Sequence, residues 1–246
     1  MRMLLDWVRR CFTTDRLTLV TASDASHARS LENLLASIQR HEPAARVVVY
    51  DLGMTAAQLG HLKSRFRYEF RAFEFPKYPA FLDIRIAAGE YAWKPQLIRD
   101  VARESREVCW MDAGNIVTEP LRKLRCEVRR EGYYCPQSQG TISEFTHPAM
   151  LAYFDLPSDW KSDFRNLNGA CVAFDMRNPR GASLLEEWAR YALIKDCIAP
   201  QGSSRANHRQ DQSLLTVLAY RAGRTRESSK TAKKLLGFKT HQDVET

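Results

Sequence analysis

The sequence predicts an α/β fold whose first half is Rossmann-like, and three observations carry that expectation. Short β-branched runs alternate with stretches whose apolar residues recur at helical spacing, so the chain opens in the order βαβαβ. The runs at 46–50 and 108–111 each end in an aspartate followed within two residues by a glycine, as strands of a layered sheet do where they meet a ligand-facing loop. The run Val108-Cys-Trp-Met111 is continuously apolar, the pattern of a strand buried in the sheet. Parallel strands with right-handed crossovers follow from this order. No Gly-x-Gly-x-x-Gly follows the first strand, which argues against dinucleotide binding.

The elements follow in sequence. A first strand at 16–21 ends in Thr21-Ala-Ser-Asp24; Ser26 is a candidate cap for a helix whose Leu31, Leu34, Leu35 and Ile38 share a face and which stops before Pro43. A second strand at 46–50 leads into Asp51-Leu-Gly53, a helix at about 55–66 and an alternating third strand at 68–75. Residues 76–89 read as loop or short helix, and Pro95 suits the first turn of a helix reaching about residue 105. After the strand that ends at Asp112, Thr118-Glu-Pro120 reads as a cap and first turn of a helix to about 130. Tyr133-Tyr-Cys-Pro136 reads as a short strand, and Thr146-His-Pro148 opens a helix through 154. Residues 155–165 are loop-like, and Asn168-Gly169 stands directly before a buried strand ending at Asp175. Helices are expected at about 182–194 and 214–220, the latter opened by His208-Arg-Gln-Asp-Gln212.

No repeat, linker or low-complexity stretch divides the 246 residues, which are read as one domain over 1–246 with an N-terminal helix at 1–15 and a basic tail at 221–246. Charged residues make up 27% and hydrophobic ones 44%, the mix of a soluble globular protein. No stretch approaches the roughly 18 apolar residues of a membrane span. The start carries Arg2, Arg9 and Arg10 with no small-residue cleavage site, so no signal peptide is expected. Leu4, Trp7, Val8 and Cys11 share a helical face, suited to packing on the protein's own body or to lying on a membrane surface. Six cysteines lack any metal-ligand or Cys-x-x-Cys spacing and read as reduced thiols of a cytoplasmic protein. The net charge of +8 is densest at 221–239, which suits a solvated tail, a contact with an anionic membrane surface, or a clamp on a phosphorylated ligand. With no nucleic-acid motif beside it, no nucleic-acid partner is expected.

Four motifs stand in a telling order between Leu17 and Gly223: Thr21-Ala-Ser-Asp24, Trp110-Met-Asp-Ala-Gly114, Asn168-Gly169, and His208-Arg-Gln-Asp-Gln-Ser213. In these the chain resembles the nucleotide-sugar glycosyltransferases of the GT-A fold, most of all the glycogenin-like and galactinol-synthase-like group. The resemblance implies a mixed, mostly parallel central sheet flanked by helices, and transfer of a sugar from a nucleoside diphosphate, UDP-linked, to a saccharide or other hydroxyl acceptor, with retention suggested. It also implies a divalent cation, manganese or magnesium, that offsets charge on the leaving diphosphate.

Carried onto this sequence, the resemblance places Asp112 at the first position of the Asp-x-Asp metal motif, with Ala113, Gly114 and Asn115 beside the donor. The second acid is absent: Gly114 holds its place. A late histidine completes the family's metal site, and His241 is the histidine of the tail. Thr21, Ala22 and Asp24 would approach base and ribose, Asp51 a ribose hydroxyl, Lys94 a phosphate, and Asn168 and Gly169 the transferred sugar. Asp211 and Gln212 would orient that sugar and, with Asn168, form the catalytic set. Plainer roles remain open at this stage: turns for Asp24, Asp51 and Asn168-Gly169, a solvent-facing lysine for Lys94, a helix cap for Asp211, an unanchored terminal residue for His241. Two rival functions also stand, a non-catalytic donor-binding module on the same fold and a basic nucleic-acid-binding or membrane-surface protein acting through 221–239.

Overall fold

In the computed structural model, residues 17–225 and 233–244 are described; the helix expected at 1–15 and residues 226–232 of the basic segment lie outside them. Strand β1 (Thr18–Ser23), helix α1 (Ala28–His41), β2 (Arg46–Asp51), α2 (Ala56–Arg65) and β3 (Glu69–Ala72) form the expected βαβαβ unit, with β1 parallel to β2 and β2 parallel to β3. The chain then crosses back. Helix α3 (Trp93–Ala102) leads into β4 (Glu107–Met111), which pairs parallel with β1 on the side away from β2. Consecutive strands thus leave β1 in opposite directions, opening a crevice at the carboxyl ends of β1 and β4 where doubly wound sheets bind ligands.

Next come β5 (Ile116–Val117), α4 (Arg122–Glu131), β6 (Tyr133–Tyr134), β7 (Gln137–Thr141), the short helices α5 (Ile142–Phe145) and α6 (Pro148–Tyr153), and β8 (Arg165–Leu167). Strand β9 (Cys171–Asp175) lies antiparallel to both β4 and β6, which completes the sheet order β3-β2-β1-β4-β9-β6. Helices α7 (Pro179–Tyr191), α8 (Lys195–Ile198) and α9 (Gln210–Arg221) follow, and β10 (Phe238–Lys239) pairs with β5.

Strand alternation sends side chains to two separate cores. Val20, Val48, Val108, Trp110, Val172 and Phe174 pack with α3, α7 and α9 on one face. Leu19, Val47, Val49, Cys109, Met111 and Ala173 pack with α1, α2 and α4 on the other. Among the described residues, no helix is long and apolar enough to cross a membrane. No disulfide joins the five described cysteines; Cys109 and Cys171 touch at 3.9 Å within the buried sheet.

Several boundaries differ from the sequence expectation. The third strand stops at Ala72, because Pro76 cannot donate to a ladder and Phe73 instead stacks on Tyr78, centroids 4.9 Å apart. Asp24, not Ser26, caps the turn ahead of α1, accepting from the amides of Ser26 and His27 at 3.1 and 3.2 Å. Thr118-Glu-Pro120 does not open a helix: the amides of Thr118 and Glu119 both donate to the Gly237 carbonyl, and α4 begins at Arg122. Strands β5, β7, β8 and β10 are short and without apolar alternation, so their pairing partners, not their own pattern, define them. Within the basic segment Arg224 is buried and donates to the Cys135 carbonyl, so that part of it is not a solvated tail.

Candidate active site

A cleft of about 380 Å³ opens at the carboxyl ends of β1 and β4, lined among others by Ala22, Asp24, Asp112, Asp211, Gln212 and His241. Lys94 sits at its floor. Helix α3 begins at Trp93, so Lys94 occupies the first turn, where its side chain is free to run under β4. It is 4% exposed, so the solvent-facing reading does not apply. Its Nζ lies 3.1 Å from Asp112 Oδ1 and 3.3 Å from Asp211 Oδ2, donates to the Gly169 carbonyl at 3.5 Å, and stands 5.4 Å from the Trp110 ring centre. Burial alone would depress the ammonium, but the two carboxylates outweigh it and hold it above its ordinary value. Desolvation raises the Asp211 carboxyl, with Lys94 opposing and Asp112 adding to the shift; two carboxylates share one cation.

Asp112 emerges from β4 with its amide bonded to the Ala170 carbonyl at 2.9 Å, and the Trp110 indole donates to its Oδ1 at 2.6 Å. One oxygen is thereby fixed while the side chain stays partly exposed to the cleft. Asn115, fully buried, donates to the same Ala170 carbonyl at 2.6 Å, and its Oδ1 accepts no hydrogen bond. Asp211 is not a helix cap. Arg209 holds that position, and Asp211 falls in the first turn of α9, its carbonyl bound by the Trp188 indole at 3.0 Å. The next residue, Gln212, accepts from the Gly169 amide at 3.2 Å. Gly169 is needed for this approach: a Cβ there would sit 2.9 Å from Gln212 Cγ and 3.1 Å from Asp211 Oδ2. Asn168 folds its Oδ1 onto the Ala170 amide at 2.7 Å and donates to His241 Nε2 at 3.4 Å, so His241 is anchored beside the cleft.

The structure therefore brings Lys94, Asp112, Asn168, Gly169, Asp211, Gln212 and His241 together, with Ala22, Asp24, Ala113, Gly114 and Asn115 around them. Asp24 is engaged locally; burial opposes it, but bonds from His27 and Ser26 hold its carboxyl below the ordinary range. Two expected residues stand apart. Asp51 turns its Oδ1 to the amides of Gly53 and Met54, at 2.8 and 2.7 Å, so it terminates β2. Thr21 is 1% exposed within β1, its hydroxyl unpartnered in the core.

Sequence reasoning missed Tyr91, Arg205 and Asp243, all of which line the cleft. Tyr91 closes a run at Ala87–Tyr91 with φ of 45, 53, 62, 49 and 54°, five consecutive left-handed residues of which one is glycine. Arg205 lies over the Tyr91 ring at 5.3 Å and contributes an exposed positive charge. Asp243 had no more signal than its place two residues after His241, and no regular periodicity links the two, because His241 lies at φ 56°.

Among the described residues no three Asp, Glu, His or Cys side chains converge tightly enough to cage an ion. The donor set still suits a hard cation shared with substrate, since magnesium-type ions are held by one or two carboxylates and complete their shell from phosphates. Asp112, His241 and Asp243 supply such a set around one cleft, beside the unpartnered Asn115 carbonyl oxygen.

The architecture is that of the GT-A glycosyltransferases. The galactosyltransferase LgtC, in complex with donor and acceptor sugar analogs, aligns over 93% of this chain and 84% of its own at 16% identity, TM-score 0.53. An LgtC active-site mutant with glutamate in place of glutamine aligns over 81% and 70% at 15% identity, with the same TM-score. At these identities the likeness establishes the fold. Residues 4–99 match a family described as protein of unknown function, DUF1647, and no curated protein sequence matches the chain.

Proposed function

We propose that this protein is a glycosyltransferase that moves a sugar from a nucleoside diphosphate donor, UDP-linked, to a hydroxyl of a saccharide or other acceptor. The observation that carries the reading is the buried Lys94 bridging Asp112 and Asp211 at the sheet's switch point, with Gln212 beside them. Buried polar groups held this way are positioned for a polar ligand, and sugar hydroxyls match their donors and acceptors. In this reading Ala22 and Asp24 meet the nucleoside, while Asn168, Gly169, Asp211 and Gln212 hold the transferred sugar. Arg205 and Lys94 place positive charge where diphosphate charge grows as the glycosidic bond breaks. Asp112 and His241 would hold manganese or magnesium, which supplies Lewis-acid stabilisation of the departing diphosphate. Retention of anomeric configuration, as in the glycogenin-like group, belongs to the same proposal.

The test is binding and transfer with UDP-sugars in the presence of Mn²⁺. Asp112→Asn is expected to lower turnover by roughly 100-fold or more, because the cation that would offset the leaving group's charge is held less well. Donor binding and turnover that are indifferent to this change would overturn the proposal. A second reading, a donor-binding module without turnover, is favoured by Gly114 standing where a second acid is expected; release of free sugar from a UDP-sugar would dismiss it.

A further inference from the structure

We infer that Asp243 supplies the second carboxylate of the cation site, delivered by the C-terminal segment across the vacancy at Gly114. This rests on the donor-binding reading above and goes beyond it, since it assigns a ligand that the strand-end motif lacks.

The segment is held on both sides of Asp243. Phe238 and Lys239 pair with Val117 and Ile116, and Phe238 is fully buried against Tyr134, ring centres 6.4 Å apart. Beyond them the Gln242 amide donates to the Gly114 carbonyl at 2.7 Å and the Val244 amide to Ser30 Oγ at 3.0 Å. Between these two anchors the Asp243 carboxylate lies over Gly114. A Cβ built on Gly114 would fall 2.1 Å from Asp243 Oδ1 and 2.4 Å from Oδ2. A side chain at residue 114 would therefore displace the Asp243 carboxylate from its present place: the volume it would enter already holds that carboxylate.

Three further facts favour a ligand over an accident of packing. Among the described residues, no ion pair or side-chain hydrogen bond engages the Asp243 carboxylate. His241, two residues earlier, lines the same cleft, as does Asp112. Asn115, fully buried in that lining, keeps an Oδ1 without a partner. Hard oxygen donors of this kind suit Mg²⁺ or Mn²⁺ shared with a diphosphate.

Mn²⁺ binding in the presence of UDP, followed by calorimetry and by the electron paramagnetic resonance of free Mn²⁺, tests the assignment. Asp243→Asn and Gly114→Ala are each expected to weaken Mn²⁺ binding by roughly tenfold or more, the first by removing the carboxylate and the second by displacing it. UDP affinity in EDTA and the melting temperature report that the cleft and fold persist. The double variant Gly114→Asp/Asp243→Gly, which moves the acid to the strand end, is expected to regain Mn²⁺ affinity. Wild-type Mn²⁺ binding with Asp243→Asn unaffected would overturn this assignment alone. A wild type that binds UDP neither with Mn²⁺ nor in EDTA would overturn the donor reading, and this assignment with it.

Discussion

At the residue scale the cleft turns on Lys94, whose ammonium is the shared counter-charge of two carboxylates. Replacing it with Met leaves Asp211, 2% exposed, as an uncompensated buried charge. Removing one partner of a buried ionic group costs about 3–5 kcal/mol, and Lys94→Met is expected to lose stability on that scale in urea unfolding. The loss should shrink as pH falls. Asp211 already titrates above its ordinary value because of burial, and without Lys94 it rises further, so protonation relieves the native state at acid pH. A loss that is the same at pH 5 and pH 8 would contradict this account. Asp112, Asp211 and Gln212 were legible in the sequence because polar residues interrupt apolar runs there. The burial of Lys94 was not: a lysine ahead of a proline reads equally as surface, and only the crossing of α3 beneath β4 puts it inside.

At the scale of elements, α9 has to be held rigidly, because its first turn carries Asp211 and Gln212. The Thr216 hydroxyl donates to Asn166 Oδ1 at 2.6 Å and accepts from the Leu167 amide at 2.9 Å, and the Tyr220 hydroxyl donates to the Arg165 carbonyl at 2.9 Å. His208, just ahead of the helix, is fully buried, with Nε2 at 2.8 Å from the Ile198 carbonyl and Nδ1 accepting the His147 amide at 3.2 Å. That pattern requires the neutral tautomer with hydrogen on Nε2. Desolvation pushes its pKa down to about 4, from 6.5. The unfolded chain therefore binds the proton first, and stability falls as pH drops from about 6.5 to 4. The full effect is about 3 kcal/mol. His208→Gln, which has a donor and an acceptor but no such titration, should flatten that acid limb of a melting-temperature profile; an unchanged limb would assign it elsewhere. The buried contacts of His208 give it a structural role, holding the loop ahead of α9. The pairing of β10 with β5 was invisible, since two-residue strands separated by more than a hundred positions carry no local pattern.

For the molecule as a whole, the order β3-β2-β1-β4-β9-β6 explains which parts of the fold were legible. Parallel strands β1, β2 and β4 are buried on both faces, so their apolar runs announce them. The antiparallel additions around β7, β8 and β10 are set by long-range partners and short loops, and no periodicity foretells them. The run Ala87–Tyr91 belongs with these: nothing in Ala-Ala-Gly-Glu-Tyr signals five residues at positive φ. Left-handed backbone costs an L-residue about 1–2 kcal/mol, so four such residues beside the cleft store conformational energy comparable to much of a small domain's stability. This segment should consequently be a breathing point. Its amides are expected to exchange with solvent through local opening, well ahead of those of β1 and β4. Ala88→Gly, which removes the penalty at one position without altering a charge, should slow that exchange and raise stability by about 1 kcal/mol. The wall of the cleft formed by Ala88 and Tyr91 would then be set less like a latch under tension and more like a hinge at rest.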